Sequence, residues 1–426
     1  MEFDYGKYGL EIKLRPEWNV DVFPAVKQKL IKDPVLAIRE MIKNPVGTLP
    51  LKQIIETKSK IDKICIVVSD ATRPVPSNII LEAIILELND YGITDDKIVV
   101  LIATGLHRRS RKEELNQILG NKLKKRIKIL DHVAIDNDSL IFLGNTTDNC
   151  PIYINKHYYE SDLKILTGYV EPHFFFGFAG GRKSIVPGIA GERTILENHS
   201  AQNIASPYSR FGIYEKNPMA KISTEAAKMV GVDLIINVCI DSQHKITQIA
   251  VGDLEKVHER LVDYQLKYIF KEIQEPYDIV VCGNGGYPLD LNLYQAVKSM
   301  AIGEMGVKEG GTIISVNECS EGIGIGQDKF KELLFSGMES KKIYEKILKK
   351  EILVPDQWEI QVLCRVMMKA EIYFVSELKQ DELGKIGLKY AKNVVNAIEK
   401  SLKRHGDNAR ILILPNGPQV LPLLKQ

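Results

Sequence analysis

Short apolar runs closed by Gly, Pro, Asp or Asn alternate along this chain with stretches whose apolar positions recur every three or four residues. The first kind reads as buried strands and the second as amphipathic helices. KICIVVSD, KIVVLIATG, RIKILDH and LKILTGYV are the clearest strands, and SNIILEAIILELNDYG and KEELNQILG the helices between them. In DATRPVP, Pro74 and Pro76 hold the first of those helices off until Ser77. A hairpin-like stretch and a helix precede Leu51. A more β-rich passage, LIFLGNT to PIYINKHYYESDLKILTG, leads to the helix PMAKISTEAAKMVG and the strands VDLIINVCID and ITQIAVGD. LEKVHERLVDYQLKYIFKEI reads as one long helix running to Pro276, after which the pattern restarts with YDIVVCGNGGYPLDLNLYQAVKSMAIG. GGTIISVNE, AEIYFVSE and ARILILPNG then alternate with helices. The expectation is two α/β domains with mainly parallel or mixed sheets, residues 1–270 and 271–426, with the closing LPNGPQVLPLL a candidate to fold back on the first.

Composition narrows the partners. Of 426 residues, 57 are basic and 55 acidic, so no overall field attracts nucleic acid or an acidic membrane. No apolar run is long enough to cross a bilayer, and MEFDYGKYGLEIKL lacks a signal-peptide layout, which reads as cytoplasmic. Cys65, Cys239 and Cys282 fall inside strand-like runs and suit reduced core thiols.

The chemistry concentrates in TGYVEPHFFFGFAGGRKSIVPGIAGERTILENHS, Thr167 to Ser200. A buried strand ends near Gly168 and opens into a Gly-rich loop carrying His173 and Lys183, with His199 after a helical turn. Ligands of open α/β sheets collect at the carboxyl ends of strands, so these side chains face one crevice in this reading. GFAGGRKS falls short of a phosphate-binding Walker loop because Arg182 replaces the second glycine and Pro187 interrupts the helix. Backbone amides around Gly180 and Gly181 remain candidates for a single phosphate or carboxylate, beside the plainer reading of a tight surface turn.

Three further stretches carry candidates. ATGLHRRSRK puts His107 at a strand's carboxyl end, followed by cations that are either an anion site or a solvated turn. DATRP supplies Asp70 and Arg73, a structural brace or an anion clamp. YQAVKSM places Tyr294, Gln295 and Lys298 on one helix face, near CGNGGYPLD, which is better read as a structural turn than a dinucleotide site because Pro288 occupies the third glycine position. Trp358 reads as a hydrophobic anchor. His132, His157, His244, His258 and His405 occur singly in polar surroundings and read as surface residues. The residues by themselves lead to a two-domain α/β enzyme with an anion site and histidine acid-base chemistry.

DATRPVP, ATGLHRR, GYVEPHFFFGFAGGRKSIVPGIAG, ENHS and YQAVK, in this order and over essentially the whole chain, resemble the nickel-pincer nucleotide-dependent lactate racemases. The resemblance implies an active-site crevice between the two domains, the second closing on substrate. It implies nickel held in a pyridinium-3-thioamide-5-thiocarboxylic acid mononucleotide attached covalently to Lys183, with His199 as the protein's metal ligand and Asp70, Arg73, Gly180 and Gly181 near the cofactor. His107 and His173 become the acid-base pair, and Arg73, Tyr294, Gln295, Lys298 and Trp358 the substrate contacts. Racemisation through hydride transfer from C2 avoids a carbanion beside a carboxylate and passes through a pyruvate-like 2-oxo acid. Cofactor-maturation enzymes are implied as partners. Two alternatives accompany this expectation. One is a racemase or epimerase of another small 2-hydroxy acid. The other is a non-catalytic nickel or nucleotide carrier, which would not need His107 and His173.

Overall fold

A computed structural model describes residues 1–354 and 356–425, with only the backbone at 121 and 122. Two units form, Gln28–Leu266 and a second made of Met1–Lys27 with Lys267–Gln426.

In the Gln28–Leu266 unit the strands follow the apolar runs: Ile64–Ser69, Ile98–Ala103, Lys128–Asp131, Leu163–Tyr169, Leu234–Ile240 and Ile246–Gly252. Their order across the sheet is Ile246–Gly252, Leu234–Ile240, Leu163–Tyr169, Ile64–Ser69, Ile98–Ala103, Lys128–Asp131. All neighbours are parallel except the Ile246–Gly252 edge strand, which runs antiparallel to Leu234–Ile240. The carboxyl ends of Ile64–Ser69, Ile98–Ala103 and Leu163–Tyr169 therefore lie along one edge. Helix Ser77–Asp90 begins directly after Pro76 and packs Ile80, Leu81, Ile84, Ile85 and Leu88 into the core. It buries Glu87 too, and the charge is tolerated because Arg39 Nε donates to it at 2.7 Å and Tyr91 Oη at 2.5 Å.

The second unit carries a parallel sheet in the order Lys389–Tyr390, Glu371–Val375, Val307–Val316, Tyr277–Gly283, Ile411–Leu414, Val20–Val22. Here the structure departs from the expected boundary. Val20–Val22 adds an edge strand beside Ile411–Leu414, and Phe3 and Ile12 enter this unit's core. The first 27 residues thus belong with the carboxyl-terminal part of the chain, because their pairing partner lies there. The expected long helix also stops at Ile269. Phe270–Ile273 turns extended, buries Phe270 and Ile273, and pairs in parallel with Leu421–Leu424. That pairing places the chain's closing segment in this same unit.

Candidate active site

The sequence Asp70-Ala-Thr-Arg-Pro cannot continue either strand or helix, and it wraps into a turn with Arg73 N–H on Asp70 O at 3.3 Å. Asp70 is buried, and each of its oxygens has separate work. Oδ1 accepts from Thr72 Oγ1 at 2.6 Å and from Thr72 N–H at 3.2 Å, while Oδ2 faces His107 Nδ1 at 2.7 Å. Burial pushes the Asp70 carboxyl upward, but the hydrogen bond and charge of His107, with Arg73 and Thr72 assisting, outweigh it and hold the group below the usual carboxylate range. His107, half exposed, stands on the next strand's carboxyl end. With Nδ1–H donated to Asp70, its Nε2 lone pair is left for chemistry. The sequence-level pairing of Asp70 with Arg73 is thus only part of the picture, since the side chains bonded to the Asp70 carboxylate are Thr72 and His107. Arg73 Nη1 lies 3.4 Å from Thr72 O.

The Gly-rich loop folds around its phenylalanines. Pro172–His173 and Gly177–Phe178 form a tiny antiparallel hairpin, and Phe176 N–H donates to His173 Nδ1 at 3.3 Å. That bond places the proton of the neutral His173 ring on Nε2. The buried Phe176 ring then collects three of the predicted side chains. Lys183 Nζ lies 4.6 Å from its centroid, and the rings of His173 and His199 lie at 6.1 and 6.3 Å. Phe175 packs edge-on to His173 at 4.6 Å and to His199 at 5.5 Å. His199 caps the Glu192–Asn198 helix and is 7% exposed. Its Nδ1 donates to Ile195 O at 3.1 Å, which leaves Nε2 as a lone pair. Burial first, and the Lys183 charge second, push its pKa down to about 3 against the opposing pull of the Ile195 carbonyl. The ring is thereby held in its neutral form.

Gly180 and Gly181 serve the loop itself. Gly180 has φ 78°, and a Cβ there would stand 2.8 Å from Asn237 Oδ1 and from Tyr169 O. The Gly181 N–H is already donated to Asn237 Oδ1 at 2.7 Å, so of the two readings left open for this amide the bond favours a structural turn over an anion site. A buried Asn inside the apolar run IINVCID was the available signal for this anchor. Of the cations after His107, Arg108 forks onto Glu114 at 2.9 and 2.5 Å.

Two of the five histidines expected at the surface are in the core. His132 and His258 are each 1% exposed. His258 Nε2 donates to Ala179 O at 3.1 Å and its Nδ1 lies 3.2 Å from Arg182 Nη1, while the Arg182 guanidinium stacks on Tyr214 at 4.6 Å. Polar neighbours in sequence misled the reading, since both rings are covered by segments distant in the chain.

In the other unit the helix Leu293–Gly306 holds Lys298 Nζ on Gln295 Oε1 at 2.5 Å. Tyr294 Oη donates to Asp356 Oδ1 at 3.1 Å and is hydrogen-bonded by Trp358, so the indole is tied to that tyrosine rather than serving only as an apolar anchor. The CGNGG turn is structural: Tyr287 N–H bonds to Gly6 O at 2.8 Å, and Gly6 N–H to Asp290 Oδ2 at 2.8 Å. Cys65, Cys239 and Cys282 are buried and free, as expected, and so are Cys150, Cys319 and Cys364. Among the described residues no helix is long and apolar enough to cross a membrane.

Residues 5–212 match the lactate racemase N-terminal domain, and residues 273–421 the lactate racemase C-terminal domain. The chain belongs to the lactate racemase family. Its members are isomerases. A lactate racemase of Thermoanaerobacterium thermosaccharolyticum is 34% identical over 99% of this chain and 98% of its own length, and one of Lactiplantibacillus plantarum is 36% identical over 90% of each. The solved lactate racemase apoprotein from T. thermosaccharolyticum superposes with a TM-score of 0.91 at 33% identity, covering 100% of this chain and 99% of that one. A Thermotoga maritima protein, at 20% identity and TM-score 0.67 over 93% of this chain and 100% of its own, shares the fold.

Proposed function

We propose that this racemase interconverts D- and L-lactate with a nickel-pincer nucleotide carried on Lys183. The observation that carries the reading is the grouping around Phe176: an amine and a neutral imidazole whose Nδ1–H is held by Ile195 O pack against one ring. Among the described residues no set of three or more His, Cys, Asp or Glu side chains could hold a metal by itself. One imidazole donor therefore suits a nickel that arrives with sulfur and carbon donors of its own. When bound, that group supplies a hydride acceptor for C2 of the substrate.

The chain's own residues supply the proton chemistry. His107 has its Nε2 lone pair free and its Nδ1–H braced by Asp70, the arrangement of a general base taking the substrate hydroxyl proton. His173 holds the complementary tautomer, with Nδ1 occupied and Nε2 protonated, the arrangement of a donor returning a proton to the 2-oxo oxygen. One enantiomer uses the pair in this sense, and the other requires the reverse after proton exchange. On its own unit the Lys298 ammonium, steadied by Gln295, provides charge for a substrate carboxylate. Lactate is favoured over a bulkier 2-hydroxy acid by the family match.

The test is intact-mass spectrometry with nickel analysis of protein produced alongside the maturation enzymes, comparing wild type with Lys183→Ala. An added mass with nickel in wild type, lost in the variant, together with racemisation of lactate by the loaded protein, is the expected outcome. Matured wild type with no adduct would sink the proposal. Loaded protein that turns over another 2-hydroxy acid but not lactate would move the substrate assignment.

A further inference from the structure

His132 follows the Lys128–Asp131 strand and is bonded at every polar atom. Its main-chain N–H donates to Ile102 O at 3.0 Å, and its carbonyl accepts from Thr104 Oγ1 at 2.6 Å. Its ring Nε2 donates to Ala190 O at 2.8 Å, while Nδ1 accepts from Asn155 Nδ2 at 3.1 Å. Around it, Gly105 N–H bonds directly to Gly188 O at 3.0 Å, Asn155 N–H holds Ile189 O at 3.0 Å, and His107 N–H closes a turn onto Thr104 O at 2.8 Å. His132 is therefore a node between the segment 102–107, which ends in His107, and the segment 188–190, which lies between Lys183 and His199.

The two ring bonds have opposite polarity. Only a neutral imidazole protonated on Nε2 satisfies both, because a second proton would point at the Asn155 amide hydrogens. Burial agrees with that form, pushing the His132 pKa down to about 4. An apolar ring of similar size would fill the space and leave the Asn155 amide and the Ala190 carbonyl without this partner.

We propose that His132 is a positioning residue that sets the register of the His107 segment against residues 188–190, and so the placement of His107 relative to Lys183 and His199. Its activity readout rests on the function proposed above, and its structural readout does not.

The experiment compares matured wild type, His132→Phe and His132→Gln, the last keeping a donor and an acceptor in similar places. Misplacing reacting groups by an ångström costs on the order of 100-fold, so kcat per loaded cofactor should fall about 10- to 100-fold in His132→Phe, with KM for lactate within about twofold. His132→Gln should recover most of that loss. Amide hydrogen exchange at residues 105–107 and 188–190 should quicken in the Phe variant and stay near wild type in the Gln variant. If the Phe variant does not fold, His132→Asn carries the same comparison, since it is too short to reach Ala190. A variant that loses thermal stability yet keeps wild-type kcat per cofactor, or unchanged exchange in both segments, overturns the proposal. If matured wild type racemises nothing, the functional reading fails and the exchange data alone decide the role of His132.

Discussion

Replacing Asp70 with Asn tests whether this carboxylate serves His107 or the cofactor. The orientation of the new amide is settled by Thr72, whose N–H and Oγ1–H both point at the Oδ1 position, at 3.2 and 2.6 Å. The carbonyl oxygen must stay there, so the NH2 group turns toward His107 Nδ1, where Oδ2 accepted at 2.7 Å. His107 then holds a lone pair at Nδ1 and a proton at Nε2, the wrong tautomer for a base. Restoring the working tautomer sets N–H against N–H, at a cost of about 1–3 kcal/mol. Loss of the carboxylate also removes its attraction for the imidazolium formed on proton transfer. That is about 4 kcal/mol at 4 Å with an effective dielectric of 20, and about a third of it survives around a half-exposed ring. The sum is about 2–4 kcal/mol, or a kcat lower by about 30- to 1000-fold at about 1.4 kcal/mol per decade. The assay is chiral chromatography of lactate, run from each enantiomer, with kcat divided by the cofactor occupancy from intact mass. Turnover per cofactor within threefold of wild type, with occupancy lost, would refute the tautomer argument and return Asp70 to the cofactor-binding role that the motif resemblance implies.

Two other outcomes follow from buried groups. His132, with its pKa near 4, and His258, pushed well below its usual value by burial and then by Arg182, are both neutral when folded and take up protons on unfolding. The unfolded chain therefore binds more protons below about pH 6.5, and stability falls as pH drops from there toward the folded pKa. His132 alone accounts for a loss of about 2 kcal/mol between pH 7.5 and pH 5. Calorimetry across that range should show it, with the slope reduced in His132→Gln; an unchanged slope would contradict the assignment. Gly180→Ala should destabilise more than Gly231→Ala. Both sites have positive φ, 78° and 80°, but a Cβ at Gly231 meets nothing within 4 Å whereas one at Gly180 stands 2.8 Å from backbone and side-chain atoms. Left-handed strain costs about 1–2 kcal/mol at either site, and overpacking adds about 1–3 kcal/mol at Gly180 alone. Equal urea midpoints for the two variants would show that the loop yields without cost.

What the sequence disclosed and what it hid divide along chain separation. Strands and helices were legible because their signal is local: KICIVVSD and SNIILEAIILELNDYG each carry their own period, and both elements form where that period places them. The grouping of His173, Lys183 and His199 was legible for a related reason, since all three lie in one continuous stretch of the chain and Phe176 sits inside it. Burial of single polar residues was not, because it depends on which remote segment lies over them. His107 and His132 both follow strand ends, and nothing adjacent in sequence separates a half-exposed ring from a sealed one. The difference is made by Ala190, 58 residues from His132, whose carbonyl closes over one ring, while Asp70, 37 residues before His107, takes only the inner nitrogen of the other. The edge strand Val20–Val22 has the same cause, because its register is written in Ile411–Leu414 and not in its own three residues. A polar residue at a strand end is thus better assessed by asking what could cross it than by the polarity of its neighbours. That test would have separated His132 from the exposed histidines once the Gly188–Ala190 segment was recognised as part of the site.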